Sequence, residues 1–157
     1  MRTSYQPSLS HFATALVVAA AFALGLTPAN AHSYAHNGIQ VGHAWALQST
    51  GITTIACFPL NVLGPKADRL IKASSTHARS ISFITADDAT LKSIDLLPGK
   101  PVPMRVGGLH LLLSGLKQPF KVGQHIPITL TFERAGKLAI ELYVEAKPGM
   151  SMDHKGL

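Results

Sequence analysis

Apolar side chains recur at every second position along the C-terminal half of this chain, a period that suits extended structure and not helix. In residues 126–133, IPITLTFE, the side chains of Ile126, Ile128, Leu130 and Phe132 share one face, and in residues 137–146, KLAIELYVEA, so do Leu138, Ile140, Leu142 and Val144. The segment RAGK between them suits a hairpin. Residues 38–48, GIQVGHAWALQ, place Ile39, Val41, His43, Trp45 and Leu47 in the same phase. Further strand candidates are 51–60, 69–75, 80–86, 101–106 and 109–115, separated by clusters of Pro, Gly, Asn and Asp. No segment sustains a 3.6-residue stripe capped at both ends. The pattern predicts an all-β domain, a Greek-key β-sandwich or barrel.

The N-terminus reads as an export signal, with Arg2 ahead of the apolar run ATALVVAAAFALGL and a small-residue cleavage site at Ala29-Asn30-Ala31. The run is shorter than the roughly 20 residues of a membrane-spanning helix. Residues 1–31 are therefore expected to be a cleaved signal peptide, 32–146 a single β domain and 147–157 a mobile tail, with the mature protein in the periplasm. The 126 residues left after cleavage are enough for one self-sufficient core.

Composition removes several function classes. The mature chain carries 13 Lys and Arg against 8 Asp and Glu, a net charge of +5, scattered and not interleaved with aromatics, which argues against a nucleic-acid surface. Cys57 is the only cysteine, so no intramolecular disulfide can form, and within TIACFPL it reads as a small buried apolar residue. No nucleophile elbow, phosphate-binding loop or HExxH helix is present, so hydrolase and nucleotide chemistry have no support. What remains is seven histidines and three methionines in the mature chain, and imidazole with thioether is a ligand set suited to copper.

His110 stands in GGLHLLLSGL, residues 107–116, at the start of a strand candidate. This block, with VGHAWA (41–46), ADRLIKASS (67–75) and the continuation KQPFKVGQHIPITLTFERAGKLAIELYV to residue 144, resembles the periplasmic copper chaperones of the PCu(A)C type. The resemblance spans His36 to Val144. It implies a cupredoxin-like β fold, export to the periplasm, and cuprous-ion binding for delivery to the copper site of cytochrome oxidase or for copper homeostasis.

The resemblance also implies ligands that this chain lacks. The family's methionine two residues after the Gly-Gly histidine is replaced by Leu112, and its His-x-Met pair falls at Ile84 and Ala86. A further family methionine has no counterpart in TLKSID, residues 90–95. Of the expected set only His110 is kept, either as a copper ligand or as a remnant at a strand edge.

Replacement donors are few. In the tail, Met150, Met152 and His154 recur every second residue, so an extended chain puts two thioethers and an imidazole on one side, a clamp for a soft metal. Some members of the resembling family bear such tails, where they add copper affinity; the other reading is a disordered polar terminus. His77 is either an exposed loop histidine or a ligand brought to His110 by a loop shift. Met104 in PVPMRV reads as a core side chain, and His125 is assigned no role. With cleavage before His32, the free amino group and ring of that residue could chelate cupric ion together with His36 or His43, although the phase of His43 makes it a packed structural histidine.

Three functions follow. The leading one is a non-enzymatic, exported copper-binding or chaperone-like protein that delivers or buffers cuprous ion by ligand exchange through His110, Met150, Met152 and His154. Its partner would be a copper-accepting periplasmic or membrane protein, such as a cytochrome oxidase copper-site subunit or its assembly factors. The alternative is a metal-free periplasmic adaptor module that kept the fold and lost copper. The third is a copper oxidase or oxygenase built on His32.

Overall fold

The computed structural model describes residues 33–146, and twelve strands, with no helix, occupy them. In chain order they are β1 (Tyr34–His36), β2 (Ile39–Val41), β3 (Trp45–Leu47), β4 (Thr53–Cys57), β5 (Leu60–Val62) and β6 (Asp68–Ser74). After these come β7 (Ser80–Ile84), β8 (Thr90–Leu91), β9 (Ile94–Leu96), β10 (His110–Ser114), β11 (His125–Phe132) and β12 (Gly136–Glu145). Nine strands form one sheet in the order β8-β7-β10-β4-β3-β12-β11-β6-β9, and β1-β2-β5 form a second. Every pairing is antiparallel except that of β12 with β3. Neighbours far apart in sequence, such as β4 beside β10 and β3 beside β12, make this the expected all-β sandwich of cupredoxin-like, Greek-key type.

The period of two builds the centre. Ile126, Ile128, Leu130 and Phe132 of β11 are buried, as are Ile140, Leu142 and Val144 of β12, while their alternates face outward. The two strands pair continuously from His125–Tyr143 to Phe132–Gly136, and Gly136, where the chain leaves the turn, has φ +82, a left-handed conformation that favours glycine. β10 follows the same rule, with Leu111 and Leu113 wholly buried and His110, Leu112 and Ser114 half-buried on the other face. Ile39, Val41, Leu60 and Val62 of the small sheet join the same core, so one hydrophobic cluster serves both sheets.

Three sequence expectations are corrected. Residues 38–48 are two strands in two sheets, not one. Gly42 donates its N–H to the Pro59 carbonyl at 2.9 Å, and a Cβ there would lie 2.4 Å from Pro59 Cγ, so the chain turns against Pro59 and changes sheet. The phase slips with it: Ala44 and Ala46 take the core positions, and His43, Trp45 and Leu47 leave the face of Ile39 and Val41. Residues 101–106 are not a strand. Val102 exchanges two hydrogen bonds with Leu60, at 2.8 and 2.9 Å, and the ladder stops there because Pro101 and Pro103 have no N–H to extend it. Segment 51–60 is split at Phe58-Pro59 into β4 and the start of β5.

β1 and β2 form a further hairpin. Asn37 and Gly38, with φ 45 and 84, turn β1 back onto β2, and an Asn-Gly pair between alternating segments was the available signal.

Asp68 locks the central hairpin to β6. Its carboxylate is buried and accepts three backbone N–H bonds, from Arg69 at 2.7 Å and from Arg134 and Ala135 at 2.9 Å each, the last two in the β11–β12 turn. Asp68→Ala is expected to lower unfolding free energy by about 3 kcal/mol, since charge-assisted bonds to buried donors are lost without replacement. Asp95→Ala removes one of the two exposed carboxylate partners of Arg69 and is expected to leave the urea midpoint unchanged. Urea denaturation of both variants checks the pair.

Candidate metal site

His110 begins β10 immediately after a tight turn. Gly108 N–H donates to the Arg105 carbonyl at 3.0 Å, and Arg105 N–H to the Leu109 carbonyl at 2.9 Å. The two glycines make the turn possible: Gly107 has φ +74, and a Cβ on Gly108 would lie 2.9 Å from Arg105 Cγ. The Gly108 carbonyl then sits 2.8 Å from His110 Nδ1. A carbonyl only accepts, so Nδ1 carries the proton and Nε2 presents its lone pair outward, the orientation in which histidine binds a metal.

The sheet positions next to His110 on its own face are hydrocarbon. Ile84 on β7 is directly opposite His110 and buried, and Leu112, on the same face of β10, lies between Ile55 of β4 and Ser82 of β7. The turn after Ile84 contains Ala86 and is tied by the Thr85 hydroxyl bonded to Asp87, which holds that exposed carboxyl below its usual range. Met104 is buried in the core, as its sequence context suggested. Cys57, one residue past the Leu111–Ala56 pair, is wholly buried, and desolvation pushes its thiol up to about 11, so it stays protonated at neutral pH. Among the described residues no group of three or more His, Cys, Asp or Glu side chains converges.

None of the other described histidines stands beside His110. His77 precedes β7, and its carbonyl accepts from Lys117 N–H beyond the far end of β10. Since Ser80 pairs with Ser114 while Ile84 pairs with His110, the full ladder, about 13 Å, separates His77 from His110, and a loop shift cannot join them. His43 is not packed: its side chain is 53% exposed, and its Nε2 lies 2.8 Å from Glu145 Oε1. His36, at the turn end of the β1–β2 hairpin, has Nε2 3.1 Å from Asn37 Nδ2, and β2 runs between it and His43, so the two cannot share one ion. His32, Met150, Met152 and His154 lie outside the described residues.

A family model described as putative lipoprotein LpqE-like matches residues 39–144. The chain belongs to the LpqE-like family. A putative lipoprotein of Leifsonia xyli subsp. xyli is 29% identical over 153 residues, covering 87% of this chain and 92% of that protein. Among solved structures, the copper-bound PCuAC domain from PmoF2 is 31% identical with a TM-score of 0.69, over 74% of this chain and 99% of that domain. The apo PCuAC domain from PmoF1 (22%, TM-score 0.70, 74% of this chain and 100% of that one) shares the fold. So does CuI-DR1885 from Deinococcus radiodurans (21%, TM-score 0.60, 74% and 83%). This LpqE-like chain is thus a divergent PCuAC-type domain, as its sequence blocks implied. Its relatives' name carries the word lipoprotein, whereas its own single cysteine is buried in β4.

Two expectations follow from the site. Leu112→Met puts a thioether beside His110 Nε2 on the same strand face and is expected to tighten cuprous affinity roughly tenfold over the unaltered protein, measured by chelator competition. Cys57 should react with a disulfide reagent at pH 8 about a hundredfold more slowly in the folded protein than in urea, following its thiolate fraction.

Proposed function

We propose that this LpqE-like protein is an exported, non-enzymatic copper-binding protein that buffers or delivers cuprous ion in the periplasm. The observation that carries the reading is His110, whose Nδ1 is held by the Gly108 carbonyl so that Nε2 is offered to a metal, in a domain 31% identical to a copper-bound PCuAC domain. Met150, Met152 and His154 supply the soft donors that Ile84 and Leu112 do not. The reach is adequate. β12 ends at Glu145, three strands across from β10, a lateral distance of about 14 Å, and the nine residues from Ala146 to His154 span up to about 27 Å when extended.

Transfer under this reading needs no general acid or base. A partner's thiolate or thioether displaces the tail donors one at a time, and the last bond to break is that of His110. The acceptor is a copper-accepting periplasmic or membrane protein, of which a cytochrome oxidase copper-site subunit or its assembly factors are examples. Residues 1–31 act as a cleaved signal peptide, 32–146 as the copper-binding domain and 147–157 as the mobile tail. Among the described residues no helix is long and apolar enough to cross a membrane.

Ile84 and Leu112 favour a second reading, in which the fold was kept as a metal-free adaptor for a protein partner. A cuprous titration of residues 32–157 against a chromogenic chelator separates the two. Stoichiometric binding that weakens at least tenfold in His110→Ala and in a chain ending at Lys147 is the expected result; a chelator that keeps all its copper leaves the adaptor reading.

A further inference from the structure

Two of the histidines without a part in the copper reading, His77 and His125, line one cleft. It is about 440 Å³ in volume and lies between the loop before β7 and the start of β11, with Lys117, Gln118 and Phe120 on its remaining side. The fold brings His77 and His125 together through the β6–β11 ladder. Thr129 pairs with Ser74, the Ser75 hydroxyl donates to the Pro127 carbonyl at 2.7 Å, and His77 N–H donates back to that hydroxyl at 3.1 Å. With Lys117 N–H on its carbonyl, the backbone of His77 is fixed on two sides and is no loose loop.

Both rings are oriented through Nδ1. His125 Nδ1 lies 3.5 Å from Glu141 Oε2, and its ring meets Tyr143 edge-on at 5.3 Å. A carboxylate facing Nδ1 retains the proton there and leaves the lone pair on Nε2, the arrangement that carboxylates impose on metal-binding histidines. His77 Nδ1 is 3.3 Å from the Thr76 hydroxyl, which can accept from it in the tautomer that leaves the Nε2 lone pair free. The His125 side chain is 47% exposed and His77 is half-buried, so an ion reaches the cleft from solvent. Lys117 sets one positive charge on the rim and Glu141 opposes it.

We infer that His77 and His125 form a two-imidazole site for a divalent transition ion of imidazole preference, separate from His110 and at the opposite end of the β7–β10 ladder. Waters in the cleft complete the coordination. The donor set ranks Cu(II) above Zn(II) and excludes Mg(II) and Ca(II), which require oxygen ligands.

The probes are Cu(II) and Zn(II) alone, added to residues 32–157, which contain the whole described core. Half an equivalent of Cu(II) should broaden the ring resonances of His77 and His125 ahead of those of His36, His43 and His110. Calorimetric Zn(II) affinity should fall at least tenfold in His77→Asn and in His125→Asn, fall less in Glu141→Gln, and be unchanged in His110→Ala. Matching thermal transitions identify the variants that fold. Equal broadening of all histidines, or Zn(II) affinity that folded His77→Asn and His125→Asn both retain, overturns the site. Because the cuprous titration reads His110 and this one reads His77 and His125, either can fail alone.

Discussion

The central hairpin of β11 and β12 is the constraint on which the remaining strands depend. Its inner face is a continuous wall of buried branched and aromatic side chains, and its two outer edges are taken by β6 and β3. A one-residue slip would turn Ile128, Leu130, Ile140 and Leu142 to water together, so the register is strongly held. The buried carboxylate of Asp68 adds the tie between this hairpin's turn and β6, and in doing so it satisfies backbone donors that the turn would otherwise leave without partners. From that base the sheet extends through β4 to β10 and presents His110 on the face opposite Leu111 and Leu113.

A metal site is a matter of convergence, and among the described residues the fold brings no second imidazole to His110. His110 lies at one end of β10 and His77 beyond the other, while His43 is engaged by Glu145 and His36 by Asn37. Around His110 the sheet is intact and Nδ1 is held by the Gly108 carbonyl, but Ile84 and Leu112 fill the neighbouring positions with hydrocarbon. The domain keeps the PCuAC-type scaffold, and among the described residues no second metal donor stands beside His110.

The alternation in residues 109–115, 126–133 and 137–146 made three principal strands and their buried faces legible, because side chains in a strand must alternate and a core must be apolar. The motif blocks around His110 likewise made the family legible, together with the absence of its partner ligands. Residues 38–48 misled because periodicity continues through Gly42 while the backbone does not. Proximity to Pro59, seventeen residues on, decides the turn, and no local pattern reports it.

What the chain's sequence determined by itself was the strand period, the single buried thiol, the donor types available and the turn glycines that precede His110. Only the tertiary structure decided which donors meet. It set Ile84 opposite His110, removed His77 to the far end of the ladder and placed it in one cleft with His125, because strand register and sheet order are fixed by burial of the whole core and not by the few residues that could hold a metal.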